Sequence, residues 1–220
     1  MKRTLTLAIV LVTLLSLVLT ACSNEPAETA KKYVIATDAA WPPMEFVDAN
    51  KDLAGFDIDL MNEIAKVQGF EIEFRNTAWD GIFAGLESGT YDAILSSVTI
   101  NDERKEIYDF SDPYINAGQA VVVTVDNATI ASDGDLPGNA VGAQIGTTGA
   151  LAIAEIDGVT LKEYDTIDLA FMDLVLGNVA AVVCDTPVAA DYALASAEYK
   201  GKVKIVGEPF TEEYYGLCVR

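Results

Sequence analysis

The chain contains 220 residues, of which 51% are hydrophobic, 34 are Asp or Glu, 14 are Lys or Arg and none is His, so its formal net charge is −20. A surface this acidic disfavours nucleic acid as a partner and attracts small cations. Without His the chain cannot form Ser-His-Asp or Cys-His catalytic arrangements or His-based metal sites. We also predict no metal and no cofactor.

The first segment has the layout of a secretory signal peptide. Lys2 and Arg3 precede an uncharged apolar run over residues 5–20, which is shorter than the roughly 20 residues that a membrane-spanning helix needs. The segment ends Leu19-Thr20-Ala21-Cys22, which resembles the bacterial lipobox. The resemblance implies that residues 1–21 are removed and that Cys22 carries lipid, which anchors an exported protein to the membrane on its extracellular or periplasmic side. A permanent N-terminal anchor or a buried Cys is the alternative.

A polar tether over residues 22–32 leads to the first predicted strand, Tyr33 to Thr37. The consecutive prolines that follow force an extended loop, which presents Asp38, Trp41 and Glu45 beyond the end of that strand. The alternatives are a Trp41 packed in the core and an Asp38 that serves a turn or a helix cap.

An amphipathic helix is predicted from about Gly55 to Val67, with Gly69 at its end. Asp57 and Asp59 fall in its first turn, where the helix dipole favours negative charge. The alternating residues 70–75 then predict a half-exposed strand.

The stretch from Trp79 to Tyr114 predicts a short helix, a stop at residues 88–90 and a buried parallel strand over residues 91–95. Three hydroxyl residues and one guanidinium follow that strand, and ligands of open α/β sheets bind beyond the carboxyl ends of strands. These residues are Ser96, Ser97, Thr99 and Arg104. They suit a small anion, most naturally a carboxylate, which arginine holds through two parallel hydrogen bonds. The alternative is an exposed ion pair between Arg104 and Asp102 or Glu103.

The second half repeats this plan with strands over residues 119–125, 140–144 and 179–183, and helices over residues 150–156 and 166–177. Each half contains a helix, a glycine and a buried strand in succession, which predicts two α/β lobes with a cleft between them. Thr147 and Thr148 lie in a Gly-rich turn at a helix start, where free N–H groups suit an anion. Asp185 ends a strand and either faces the ligand or caps the next helix.

Many of these residues match one family at fixed spacing. The matching segments are Trp79-Asp80-Gly81, Ser88-Gly89, Tyr91-Asp92-Ala93-Ile94, Thr99-Ile100, Glu103-Arg104-Lys105, Asp109-Phe110-Ser111-Asp112-Pro113-Tyr114 and Asp185-Thr186-Pro187-Val188-Ala189. The sequence resembles the bacterial extracellular solute-binding proteins of family 3, in their amino-acid-binding branch. The likeness extends from about Tyr33 to the last residue.

The resemblance implies a two-lobed periplasmic-binding-protein type II fold, with residues 33–120 and 207–220 in lobe 1 and residues 121–206 in lobe 2. Family members usually continue beyond this point with further helices, so the resemblance also implies a lobe 1 that is truncated at its C-terminus. Cys184 and Cys218 lie in apolar runs and are expected to be buried thiols, although a disulfide is possible.

The resemblance further implies that the cleft binds a free L-amino acid for an ABC permease and its ATPase. Arg104, Thr99 and the Thr147–Thr148 turn would hold the carboxylate, Asp185 the ammonium, and Trp41 and Trp79 the side chain. Asp38, Glu45 and Asp57 would surround a cationic side chain, whereas Gln144 at the same end would suit glutamine. Two other classes stay open: a periplasmic enzyme such as a cyclohexadienyl dehydratase, and the sensing module of a longer fusion.

Overall fold

The structure, a computed structural model, describes residues 31–220. The predicted signal peptide, Cys22 and almost all of the predicted tether lie outside the described residues. Within residues 31–220, no helix combines the length and the apolar character needed to cross a membrane.

The first sheet has five strands and defines the part of the protein that we call lobe 1. The strands are β1 (Lys32–Thr37), β5 (Glu71–Asn76), β6 (Ala93–Ile94), β7 (Asp109–Phe110) and β15 (Cys218–Val219). Their order in the sheet is β5-β1-β6-β15-β7. Strand β1 pairs in parallel with β5 and β6, whereas β15 pairs antiparallel with β6 and β7. The C-terminal strand therefore lies inside the sheet, next to the strand that the sequence singles out.

The second sheet also has five strands and defines lobe 2. The strands are β9 (Gln119–Thr124), β10 (Ala140–Gln144), β11 (Thr160–Tyr164), β12 (Ala181–Asp185) and β13 (Val203–Val206). Their order in the sheet is β11-β10-β12-β9-β13. Strand β10 is parallel to β11 and β12, and β9 runs antiparallel to β12 and β13. Both sheets thus contain a parallel group with antiparallel strands beside it.

Two smaller sheets and six α-helices complete the described residues. The small sheets are β2 (Ala40–Trp41), β3 (Glu45–Val47) and β4 (Leu53–Ala54), and the pair β8 (Ile115–Asn116) and β14 (Tyr214–Tyr215). The helices are α1 (Phe56–Gln68), α2 (Ile82–Glu87), α3 (Asp102–Lys105), α4 (Thr148–Ala154), α5 (Ile167–Leu176) and α6 (Thr186–Ala190), with a 3-10 turn at Asp133–Asp135 and a π-helical turn at Asp191–Ala195.

The alternation of side chains along each strand divides both cores between two faces. In lobe 1, Ile35 packs with Met61 of α1, whereas the next residue, Ala36, packs with Ile82 of α2 on the opposite face. In lobe 2, the same alternation along β9 and β12 separates a cluster around α4 from a larger cluster around α5. Each sheet is therefore covered by helices on both faces, as expected for nearly continuous apolar strands.

Several predicted elements were confirmed with shifted ends. The helix predicted near residues 55–67 is Phe56–Gln68, and Gly69 ends it in the left-handed conformation at φ 75°. The buried strand predicted over residues 91–95 is wrong in length, because only Ala93–Ile94 form the ladder. The Tyr91 side chain packs toward α2, where its hydroxyl donates to the Ile82 carbonyl.

Candidate functional site

One cavity is lined by every residue predicted from the sequence to contact the ligand except Asp57. Its lining comprises Asp38, Trp41, Glu45, Trp79, Ser96, Ser97, Thr99, Arg104, Gln144, Thr147, Thr148 and Asp185. The empty volume is about 310 Å³, counting space open to solvent. Residues from both lobes contribute to the lining, so the cavity lies in the cleft.

Asp38 follows the end of β1 and is held from both lobes. Its backbone N–H donates to the Ser96 hydroxyl at 2.9 Å, and its carboxylate accepts a hydrogen bond of 2.8 Å from the side-chain amide of Gln144. Burial raises the pKa of Asp38, and the hydrogen bond from Gln144 opposes that shift. The turn and cap alternatives therefore do not describe this side chain, which is directed into the cleft.

Glu45 is a buried carboxylate at the same end of the cavity. It accepts hydrogen bonds of 3.1 Å from the hydroxyls of Ser96 and Ser97. Burial, together with the nearby carboxylate of Asp57, raises the pKa of Glu45 well above its ordinary value. This residue can accept further hydrogen bonds from a cation, but the described protein places no Lys or Arg in an ion pair with it.

Asp57, which was predicted to face the ligand, does not line the cavity. It is 0% exposed in the first turn of α1, and its Oδ2 accepts from the Ser97 N–H and the Tyr114 hydroxyl, each at 2.8 Å. Burial raises the pKa of Asp57 to about 6. Asp57 therefore forms a layer behind Glu45, and its Oδ1 lacks a hydrogen-bond partner within the described residues.

Two buried tryptophans form walls of the cavity. Trp41 is 6% exposed and Trp79 is 9% exposed. Trp41 also belongs to the largest hydrophobic cluster, so the core alternative and the pocket prediction both apply to it. Trp79 precedes α2 and packs edge-on against Phe83 of that helix, with a distance of 5.3 Å between the ring centroids.

Arg104 is turned into the cleft instead of pairing with its acidic neighbours. Its guanidinium donates to the Thr99 carbonyl at 2.8 Å and lies 5.5 Å from the ring of Trp79 and 5.0 Å from the ring of Phe83. Asp102 is paired with Lys105 at 3.5 Å, so the alternative of an exposed pair with Arg104 does not hold for it. The side-chain oxygen of Asn101 caps α3 by accepting from the Arg104 N–H at 2.8 Å, which sets the direction of this short helix.

Asp185 ends β12 in lobe 2 and is buried. Its carboxylate accepts from the Tyr215 hydroxyl at 2.5 Å and from the side-chain amide of Gln119. It occupies the N-cap position of α6 but makes no side-chain capping bond, so the capping alternative is wrong. Burial raises the pKa of Asp185 to about 7, with a further contribution from the charge of Glu213.

Sequence reasoning missed Gln119, Glu213 and Tyr215, which lie behind the lining residues. Gln119 was visible as one polar residue at the head of a valine-rich strand, a signal that could have been read as a buried hydrogen-bonding role. Glu213 precedes two tyrosines in a segment without periodicity, and no local pattern points to it. Cys184 and Cys218 are both buried free thiols, which confirms the prediction for them.

A family model for the bacterial extracellular solute-binding proteins, family 3, matches residues 33–208. The chain belongs to this family. A probable histidine-binding protein from Neisseria gonorrhoeae is 34% identical over 215 residues, covering 93% of this chain and 80% of the relative. The L-cystine-binding protein TcyJ from Escherichia coli is 32% identical over 189 residues, covering 85% of this chain and 70% of the relative.

Among solved structures, that of an ancestral arginine-binding protein bound to arginine superposes on this protein with a TM-score of 0.82 and 42% sequence identity. The match covers 88% of the present chain and 86% of the ancestral one. The chain therefore has the two-lobed type II fold of periplasmic binding proteins, and the fold prediction is confirmed. The ligands named for these three proteins differ: histidine, cystine and arginine.

Proposed function

We propose that this protein is an extracytoplasmic receptor that binds a free amino acid in the cleft and delivers it to an ABC importer. The observation that carries the proposal is the meeting of Arg104 from lobe 1 and Asp185 from lobe 2 in one small cavity. The guanidinium would take the α-carboxylate and the Asp185 carboxylate would take the α-ammonium. The names of the relatives support an amino-acid ligand.

The expected strength of this head-group recognition is sufficient for a transport receptor. Each charge-assisted hydrogen bond contributes roughly 1.5–3 kcal/mol. Three or four such bonds give about −8 kcal/mol, or micromolar affinity, after the costs of ordering the ligand and the lobes. A ligand that contacts both lobes selects the closed arrangement, which the permease would recognise.

The ligand that we propose is a cationic amino acid, with arginine and lysine ahead of histidine. Asp38 and Glu45 line the end of the cavity away from the head group, and Asp57 lies directly behind Glu45. Two indole rings beside a cation contribute roughly 0.5–2 kcal/mol per contact. A cationic side chain would also relieve the mutual repulsion of the buried carboxylates, which a neutral side chain cannot do.

Glutamine is the second candidate, and one contact favours it. The Gln144 amide already donates to Asp38 at 2.8 Å, so this end of the cavity contains an amide that could exchange hydrogen bonds with another amide. In this case the ligand would bind without the charge-dependent contribution that arginine receives.

We also propose that the protein is not an enzyme. The ionisable lining residues are already used as partners for the amino-acid head group and side chain, and no further acid–base pair lines this cavity.

The lipid anchor at Cys22 and the lobe bounds given above remain parts of the proposal. A thermal-shift screen of the protein against all common amino acids tests the function: stabilisation by a cationic amino acid supports it, and no shift with any amino acid opposes it.

A further inference from the structure

Glu213 directly precedes β14, on the segment that leads from β13 of the second sheet to β15 of the first, and it is only 8% exposed. Its Oε2 accepts from the hydroxyls of Thr99 at 2.9 Å and Thr148 at 2.6 Å. Its Oε1 accepts from the Thr211 hydroxyl at 2.7 Å and the Gln119 amide at 3.1 Å. Because a carboxylate offers about four acceptor sites, the hydrogen-bonding capacity of this side chain is fully used.

The two threonines on Oε2 come from different lobes. Thr99 follows β6 in lobe 1, and Thr148 begins α4 in lobe 2, yet their hydroxyl oxygens lie 3.3 Å apart. One carboxylate oxygen on the inter-lobe connection therefore joins both lobes where they meet at the cavity. Hydrogen bonds to a charged acceptor are stronger than neutral ones, so this contact favours the closed arrangement of the cleft.

The same side chain also sets how the threonines meet a ligand. A threonine hydroxyl carries one proton, so a hydroxyl that donates to Glu213 offers only lone pairs to the cavity. Such oxygens can accept a hydrogen bond from a donor of the ligand beside Asp185. They suit the carboxylate of the ligand, which the sequence analysis assigned to these threonines, less well. Gln119 extends the effect, because its amide donates both to Glu213 and to Asp185.

We infer that Glu213 is a positioning residue that latches the two lobes together and orients Thr99, Thr148 and Asp185 toward the head group of the ligand. The latch itself does not depend on the identity of the ligand. The orientation of the three side chains rests on the proposed amino-acid function.

The latch can be tested without any amino acid, because both tryptophans of the protein line the cleft. Acrylamide quenching of their fluorescence measures how open the cleft is. Glu213→Gln keeps the length of the side chain but puts an amide group, which is a donor, against two of the four donors. We expect stronger quenching in this variant than in the wild type. Glu208→Gln removes the same charge from an exposed position on the same connection and is expected to leave quenching unchanged.

A second variant keeps the test decisive if Glu213→Gln fails to fold by circular dichroism. Thr148→Val removes the lobe 2 donor on Oε2 while leaving the Glu213 side chain itself in place, and we expect it to increase quenching as well. It also removes an acceptor of the Gln119 amide, at 3.2 Å. Wild-type quenching in every folded variant of this pair contradicts the latch.

The orienting role is tested by stopped-flow measurement of how fast the amino acid found by the screen is released. We expect this amino acid to dissociate from Glu213→Gln at least about fivefold faster than from Glu208→Gln, which corresponds to about 1 kcal/mol. An unchanged release rate contradicts the orienting role, whereas a failure of all amino acids to bind contradicts the proposed function and leaves the quenching result intact.

Discussion

The side-chain amide of Gln144 in lobe 2 donates a hydrogen bond of 2.8 Å to the carboxylate of Asp38 in lobe 1. This bond crosses the cleft at the end where a ligand side chain would point, and the Gln144 amide also donates to the Asp165 carbonyl at 3.0 Å. Asp38 keeps acceptor capacity for a further donor, since an ionised carboxylate has about four lone-pair sites. The pair therefore places a buried acceptor at the specificity end of the cavity.

Replacing Asp38 with Asn should lower the affinity for arginine and lysine by about tenfold or more, or roughly 1.4 kcal/mol. The variant keeps the shape of the side chain but loses the charge that would face a cationic ligand. Calorimetry measures the change, and Asp59→Asn is the matched control, because Asp59 is exposed and carries the same charge. Equal losses for glutamine and arginine would count against a cationic subsite at Asp38.

Replacing Arg104 with Lys should remove most of the affinity for any amino acid. The lysine keeps the positive charge but cannot present two parallel N–H groups to the carboxylate. Arg75→Lys serves as the control, because the Arg75 guanidinium donates to the Thr90 carbonyl away from the cavity. A loss of less than about fivefold, roughly 1 kcal/mol, would mean that Arg104 does not clamp the carboxylate.

The stability of the protein without an amino acid should fall as the pH rises from about 4.5 to 7.5. Burial raises the pKa of Asp57 to about 6 and that of Asp185 to about 7, whereas both carboxyls have a pKa of about 4 when unfolded. Within this window the folded state binds more protons than the unfolded state, so deprotonation costs folding free energy. Asp57 alone should contribute on the order of 1–3 kcal/mol.

Urea unfolding at the two pH values measures this effect. The Asp57→Asn variant should show a smaller decrease than the wild type, because it removes one of the groups that loses its proton. Arginine should restore stability at the higher pH by compensating the ionised carboxylates. A free energy of unfolding that rises across this pH window would be inconsistent with protonated buried carboxylates.

A Cys22→Ser variant, expressed in a host that lipidates exported proteins, should lose lipid labelling and membrane association. The expectation rests on the Leu19-Thr20-Ala21-Cys22 sequence after a short apolar run. Cys218→Ser is the control, because its thiol is buried inside the first sheet. A Cys22→Ser protein that labels and fractionates like the wild type would rule out the anchor.

The sequence predicted much of the site because the predicted ligand residues follow strand ends. Asp38 comes after β1, Ser96 after β6 and Asp185 at the end of β12, and the carboxyl ends of parallel strands meet at one edge of a sheet. The apolar and alternating patterns of residues that located these strand ends are local properties of the sequence. Their assembly into one cavity needed only the two-lobed topology, which the repeated helix–glycine–strand unit indicated.

The sequence could not predict which polar residues lie behind the lining. Asp57 was expected to face the ligand, but the Ser97 N–H and the Tyr114 hydroxyl hold it behind Glu45. Glu213 is buried by donors from four separated segments of the chain. The positions of such side chains depend on packing between segments that are far apart in the sequence. Local residue patterns therefore cannot predict them.

Calorimetry with arginine, lysine, histidine and glutamine, each at low and high salt, tests the central claim most directly. The long-range attraction between a cationic ligand and this acidic protein weakens as the salt concentration rises. We expect arginine or lysine to bind most tightly, with micromolar or stronger affinity that falls as salt rises. Glutamine binding more tightly than arginine, with no dependence on salt, would contradict the assignment of a cationic amino acid to this cleft.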